Sequence, residues 1–247
     1  KIILIAGPTA SGKSNFALQL AKKVNGEIIN SDSMQIYKEI KILNARPTSK
    51  NINKITHHLY GFHSVKKKFS TGQWLKKTIR LIKEIKKKNK IPILVGGTGL
   101  YFKAIISGLT KIPLIPMKYR NKFRAEHKKI GQKKFFNKLV KLDPLAKSRI
   151  NDNDAQRTLR AYEVKKYTKT SLFKWHENTP KNFEEKDFLK IYVDCPRNDL
   201  IYRINKRVDN MIKAGAIKEV KKLRNLNIKK DNSSNKVIGI NEIYKFL

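Results

Sequence analysis

The chain has 247 residues, room for one large α/β domain or for a core carrying an insertion, and its 56 Lys and Arg against 19 Asp and Glu give a formal charge of +37. That charge attracts polyanions such as nucleic acid, although lysine far outnumbers arginine and part of the excess is compositional. The single cysteine, Cys195, excludes an internal disulfide and a multi-cysteine zinc site and fits a reducing cytoplasm, while no apolar run approaches the ~18 residues of a membrane span.

Residues 2–6 form an apolar run that reads as a short buried strand, and Gly7, Pro8, Thr9, Ala10, Ser11, Gly12, Lys13 and Ser14 follow it as a complete G-x-x-x-x-G-K-[ST] loop. Behind the loop, Phe16, Ala17, Leu20, Ala21 and Val24 recur at helical spacing. A strand, a glycine loop and a helix N-terminus together aim backbone N–H groups at one point, which suits a phosphate or diphosphate. Lys13 adds a point charge, and the Ser14 hydroxyl is placed to help hold Mg²⁺. A glycine turn that binds nothing needs neither residue.

Residues 26–30 read as a second strand that delivers Ser31-Asp32-Ser33-Met34-Gln35-Ile36-Tyr37 to the same carboxyl edge of the sheet, where open α/β sheets hold their ligands. Asp32 then stands opposite the phosphate loop; its simpler reading is an N-cap. Ser70 to Gln73 is a capping-box pattern, and Leu75, Ile79, Ile82 and Ile85 mark the buried face of a crossover helix. The next strand, 91–95, ends in Gly96-Gly97-Thr98. A phosphoryl-transfer enzyme commonly has a metal-holding Asp there, so the glycines argue against ordinary ATP hydrolysis and for close backbone approach plus a hydroxyl.

From about residue 112 to 185 the strand-and-crossover rhythm stops. Phe123, Phe135, Phe136, Leu139, Val140 and Leu142 stand among lysines, and Asp154 is placed to cap a helix carrying Gln156, Arg157, Leu159, Arg160, Ala161 and Val164. The expected organisation is an α/β fold with a P-loop NTPase-like parallel sheet flanked by helices, built from 1–112 and 186–247, with an inserted helical subdomain at 113–185. Residues 188–193 return to the sheet, helices follow near 200–211 and 217–226, and the polar stretch 225–236 reads as a mobile connector. His57-His58 are adjacent and share no helix face, so a structural role is expected rather than a metal pair. Trp74 and Trp175 read as core before base-stacking platforms, and the runs at 66–68 and 86–88 as solvated lysines.

The phosphate loop, the Asp32-to-Tyr37 block, His57-His58-Leu59, Gly96-Gly97-Thr98 with Leu100-Tyr101, Asp143-Pro144, Asn153-Asp154 with Gln156-Arg157 and Arg160-Ala161, and Arg207-Val208-Asp209 with Met211 resemble, in order and spacing, the bacterial tRNA dimethylallyltransferases. The resemblance covers nearly the whole chain. Leu43-Asn44-Ala45-Arg46-Pro47 departs from the family's usual Gly-Thr-Ala-Lys-Pro, and Ile238-Gly239-Ile240 from its Ile-Gly-Tyr. The resemblance implies a monomeric cytoplasmic enzyme that uses Mg²⁺ to move a dimethylallyl group from dimethylallyl diphosphate to the exocyclic amine of the adenosine 3′-adjacent to the anticodon of tRNA. It assigns Asp32, Lys13 and Thr98 to catalysis, residues 7–14 to the diphosphate, and Asp32, Ser33, Met34, Gln35, Arg120, Gln156, Arg157 and Arg160 to the anticodon stem-loop. The rival readings are a dimethylallyltransferase for free adenine nucleotides, a small-molecule P-loop kinase, which would want the absent acidic strand end, and a non-catalytic RNA-binding module, which would have no use for Lys13 and Asp32 at one edge.

Overall fold

Apolar runs bounded by glycine and polar turns give four of the five strands in a parallel sheet. The computed structural model describes residues 1–48, 53–229 and 232–247. Strand β1 (Ile2–Ala6) leads through the glycine loop into helix α1 (Lys13–Lys23), and β2 (Gly26–Asn30) follows. A two-residue strand β3 (His57–His58) forms the edge beyond β2. The capping box at Ser70 opens α2 (Thr71–Lys87), which returns the chain to β4 (Ile91–Val95) and then α3 (Gly99–Ser107). The sheet closes with β5 (Phe188–Tyr192), in the order β3-β2-β4-β1-β5.

Both faces of the central strands are covered, as parallel sheets require. Ile2, Leu4, Ile29 and Leu94 face Trp74, Leu75, Ile82 and Ile85 of α2 and Tyr101, Ala104 and Ile105 of α3. The alternate residues Ile3, Ile5, Ile28 and Ile93 pack on Ala17 and Ala21 of α1. Trp74 is fully buried, stacks on Tyr101 at 4.1 Å between ring centroids and donates its indole N–H to the Asn30 carbonyl, so it is core.

The chain forms two units, Lys1–Ile106 with Asn182–Leu247, and Ser107–Lys181. These limits lie a few residues before the 112/113 and 185/186 boundaries expected from composition. Gly108 has φ +81°, and a Cβ on it would lie 2.1 Å from the Pro180 carbonyl oxygen, while Thr110 and Thr179 share a hydrogen bond. In the second unit, α4 (Met117–Ile130), α5 (Gln132–Leu142), α6 (Ala146–Arg149), α7 (Ala155–Thr168) and α8 (Leu172–Glu177) surround Phe123, Phe135, Phe136, Leu139 and Tyr162. Asp154 caps α7, its carboxylate accepting the Arg157 N–H at 2.9 Å.

In the first unit α9 (Arg197–Lys213), α10 (Ala216–Arg224) and α11 (Ile240–Phe246) complete the fold. Val220 and Leu223 of α10 and Ile240 of α11 bury Ile36, Tyr37 and Ile40, which follow the Asp32 segment. Glu219 of α10 accepts the backbone N–H groups of Lys41, Ile42 and Leu43, anchoring the far end of that segment. The stretch 225–236 departs from the expected mobile connector where it is described. Asn232 and Ser234 are buried and both donate to the Val65 carbonyl at 3.0 Å, two bonds that polar composition does not reveal. Its residues 230 and 231 lie outside the described residues. Among the described residues no helix is long and apolar enough to cross a membrane.

The adjacent histidines serve the β2–β3 edge. Glu27, buried in β2, accepts from His58 Nε2 at 2.7 Å and from Lys90 Nζ at 2.9 Å. Burial pushes its carboxyl up, but the hydrogen bonds and charges of Lys90 and His58 outweigh burial and hold it below the ordinary value. Its contribution to stability is therefore complete above the ordinary carboxylate pKa and lost as pH falls through the lowered folded one. Glu27→Gln is expected to destabilise the protein by about 1–3 kcal/mol at neutral pH. Denaturant midpoints should show that difference shrinking in acid; a constant difference would mean the carboxylate's charge is not what matters.

Candidate active site

The loop between β1 and α1 is shaped by close approach. A Cβ at Gly7 would lie 2.3 Å from the Val193 carbonyl oxygen beyond β5, and Gly12, at φ +92°, starts α1 with no side-chain cap. The first amides of α1 are thus left for a ligand, and a helix N-terminus favours an anion there. Ser11 is buried, and its hydroxyl has no hydrogen-bond partner among the described residues, which leaves another donor unspent. Lys13 Nζ donates to the Pro8 carbonyl at 3.0 Å, across the mouth of the loop. Burial lowers the Lys13 pKa below the ordinary lysine range, Asp32 opposes that shift, and Arg207 adds to it. Ser14 is exposed on the first turn of α1.

Asp32 sits at the carboxyl end of β2, on the same sheet edge. Its segment is held from several sides. Asn30, fully buried, accepts the Asp32 N–H at 2.9 Å and donates to the carbonyls of Asp32 and Leu59. The Asp32 carboxylate accepts the Met34 N–H at 2.8 Å and closes a local turn; no helix begins there, so the simpler reading as an N-cap is not met. Gly96 explains the Gly-Gly-Thr turn after β4: a Cβ there would lie 2.2 Å from the Ser31 carbonyl and 2.7 Å from the Asp32 nitrogen. The Thr98 hydroxyl accepts the Ser33 N–H at 2.9 Å and donates to the Ser33 hydroxyl at 3.3 Å. Through these two bonds it ties the Asp32 segment to the end of β4. Met34 packs in the core beside Ile36, and Gln35 donates its amide to the Asn44 carbonyl at 2.8 Å.

A cavity of about 250 Å³ opens beside Ser14, bounded by Ala17, Leu18, Ile28 and Val95 on its apolar side and by Arg46, His57 and Tyr60 on its polar side. Burial, and after it the Asp32 charge, raises the Tyr60 pKa far above the ordinary phenol range, so the phenol keeps its proton. Two arginines complete the edge. Arg203 Nη1 lies 3.9 Å from the position of a Cβ on Gly12. Arg207, one turn further along α9, is half-buried; burial lowers its pKa and Asp32 opposes the shift. Motif reading quoted Arg207 without giving it a task and passed over Arg203 and Tyr60. The i, i+4 spacing of Arg203 and Arg207 was the available signal; for Tyr60 there was none.

The residues assigned to RNA divide between the units. Asp32, Ser33, Met34 and Gln35 belong to the first, and Arg120, Gln156, Arg157 and Arg160 to the second. Within the second unit, Arg120 Nε donates to the buried Glu163 at 3.0 Å, Arg157 pairs with Asp154 at 3.1 Å, and Gln156 is exposed. Arg160 is half-buried near Glu163 and Arg120; burial lowers its pKa, Glu163 opposes this, and Arg120 reinforces it.

A family model described as IPP transferase matches residues 35–247. The tRNA dimethylallyltransferase of Pelagibacter ubique (strain HTCC1062) is 58% identical over 247 residues, covering 100% of this chain and 79% of that protein. That of Rickettsia massiliae (strain Mtu5) is 44% identical over 248 residues, covering 100% of this chain and 68% of that protein. Among solved structures, the full-length tRNA isopentenylpyrophosphate transferase of Bacillus halodurans aligns with TM-score 0.68 at 35% identity, over 100% of this chain and 77% of that one. A eukaryotic dimethylallyltransferase acting on tRNA aligns with TM-score 0.85 at 28% identity, over 99% of this chain and 62% of that one. With the parallel sheet, its phosphate loop and a match over most of the sequence, the chain belongs to the IPP transferase family.

Proposed function

We propose that the protein transfers a dimethylallyl group from dimethylallyl diphosphate to the exocyclic amine of the adenosine 3′-adjacent to the anticodon in tRNA, releasing diphosphate. The observation that carries this reading is that the phosphate loop after β1 and Asp32 after β2 stand at one carboxyl edge of the sheet, with β4 between them ending in glycines and Thr98 where a kinase would hold an acidic metal ligand. The names of the relatives support it.

On this reading the loop amides, Lys13 and Arg207 bind the diphosphate, while the cavity beside Ser14 offers apolar wall to a short prenyl chain. The allylic C–O bond breaks with negative charge developing on the bridging oxygen, which fixed donors stabilise better than mobile water does. The adenine amine forms the new C–N bond and gives its proton to the Asp32 carboxylate. Thr98 keeps Ser33, and through it Asp32, in place. Adenine stacked in an anticodon loop cannot reach a sheet edge, so the base is flipped out and passes Ser33, Met34 and Gln35.

Mg²⁺ fits this site in one way. Among the described residues no three His, Cys, Asp or Glu side chains gather to hold a metal. Ser14 is exposed on the first turn of α1, and a hard cation that keeps most of its water binds through such a hydroxyl and through substrate phosphate oxygens. Bound there, Mg²⁺ would neutralise charge on the departing diphosphate. Arg120, Gln156, Arg157 and Arg160 grip the RNA, in a cytoplasmic protein acting as a monomer.

Incubation of the purified protein with Mg²⁺, dimethylallyl diphosphate and unmodified tRNA, followed by nucleoside mass analysis, tests the assignment. A dimethylallyl adenosine in the tRNA is expected. Prenylation of free AMP, with tRNA untouched, would transfer the assignment to a nucleotide-modifying enzyme.

A further inference from the structure

Glu163 is 2% exposed and sits amid arginines of the second unit. Arg120 Nε donates to one carboxylate oxygen at 3.0 Å, and Arg124 Nε lies 3.7 Å from the other. Arg120 and Arg124 are one turn apart on α4, so their side chains leave the same helix face. Arg160 comes from α7, three residues before Glu163, and feels both Glu163 and Arg120. Two guanidiniums reach this one carboxylate, which leaves one positive charge over for an anion to complete. Both α4 arginines approach Glu163 through Nε. Arg120 spends one of its five N–H groups there and Arg124, at 3.7 Å, none, and no hydrogen bond from their Nη atoms is formed among the described residues. A guanidinium held this way presents its Nη pair in the fork that suits a phosphate.

We propose that Glu163 is a positioning residue that holds Arg120 and Arg124 as a paired grip on the RNA phosphate backbone, which makes Arg124 an RNA contact alongside Arg120. The inference rests on the tRNA reading above and names a part of that surface which motif spacing did not reach. Glu163 fixes the rotamers of two long side chains in advance, so less conformational entropy is lost when the phosphate arrives.

The test measures tRNA affinity over a salt series, together with steady-state constants, for the wild-type chain, Glu163→Gln, Arg124→Gln, the Arg120→Gln/Arg124→Gln pair and the triple variant. Glu163→Gln is expected to weaken tRNA binding about tenfold, and Arg124→Gln to weaken it and flatten the log–log salt slope by about one. The loss should appear in KM for tRNA and leave KM for dimethylallyl diphosphate where it was. In the background lacking both arginines, Glu163→Gln should cost no further affinity, because its effect passes through them. A merely structural carboxylate would cost the same in both backgrounds, and that result overturns the inference. Arg124 is partly exposed, so Arg124→Gln remains decisive where Glu163→Gln does not fold. Wild-type protein that leaves tRNA unbound overturns the tRNA reading itself, whereas wild-type binding with Arg124→Gln unchanged overturns only the grip.

Discussion

Asp32→Asn is expected to lower the rate of tRNA prenylation by roughly 10²–10⁴-fold while dimethylallyl diphosphate still binds, since a positioned general base contributes that much and takes no part in holding the diphosphate. Asn is the informative substitution because it keeps the local fold. Its side-chain carbonyl still accepts the Met34 N–H that Asp32 accepts at 2.8 Å, and the Asn30 side chain holds the backbone N–H and carbonyl of residue 32, which the change leaves alone. What is lost is the charge and the site for a proton. Tyr60 offers no substitute, since its phenol stays protonated well past the pH of any assay. Single-turnover rates at saturating tRNA, beside a titration with dimethylallyl diphosphate alone, separate the two steps. Turnover within about tenfold of wild type would remove Asp32 as the base.

The legible parts of this protein were local. The phosphate loop declares itself by glycine and lysine spacing, the strands before it and at 91–95 by unbroken apolar runs, and α2 by its capping box. Asp32 was legible one step later, because a strand end in a parallel sheet predicts an edge. The rest depended on long-range placement. Strand β3 is two histidines with no hydrophobic signal, and only its pairing with β2 marks it as a strand. Arg203 went unremarked and Arg207 had no task until α9 is seen beside Gly12 and Asp32. Arg120 was visible as a basic residue, but its Nε bond to a carboxylate 43 positions away was not. Thr98 was legible as a hydroxyl after the glycines, but its bond to the Ser33 N–H, set by the close packing at Gly96, was not.

Lys13→Gln is expected to reduce kcat/KM for dimethylallyl diphosphate by roughly 10²–10³-fold, the usual cost of removing one preorganised donor from developing negative charge. The pH profile then identifies the charge as that of Lys13. Burial holds the free-enzyme Lys13 below the ordinary lysine range, with Asp32 pulling it back up and Arg207 pushing it further down. Raising the pH through that value removes the ammonium the diphosphate needs, so kcat/KM should fall on the alkaline side earlier than an unperturbed lysine would allow. Bound diphosphate favours the charged form, so the corresponding limb in kcat should lie at higher pH. Tyr60 in the site and Tyr101 in the core beneath it are both raised away from this window and do not supply the limb. Lys13→Arg keeps a positive charge that does not titrate, and its planar fork replaces a point donor that reaches the Pro8 carbonyl at 3.0 Å. That variant should be slower than wild type and should lack the early alkaline limb. An unchanged limb in Lys13→Arg would assign the titration to another group and take Lys13 out of the electrostatic argument.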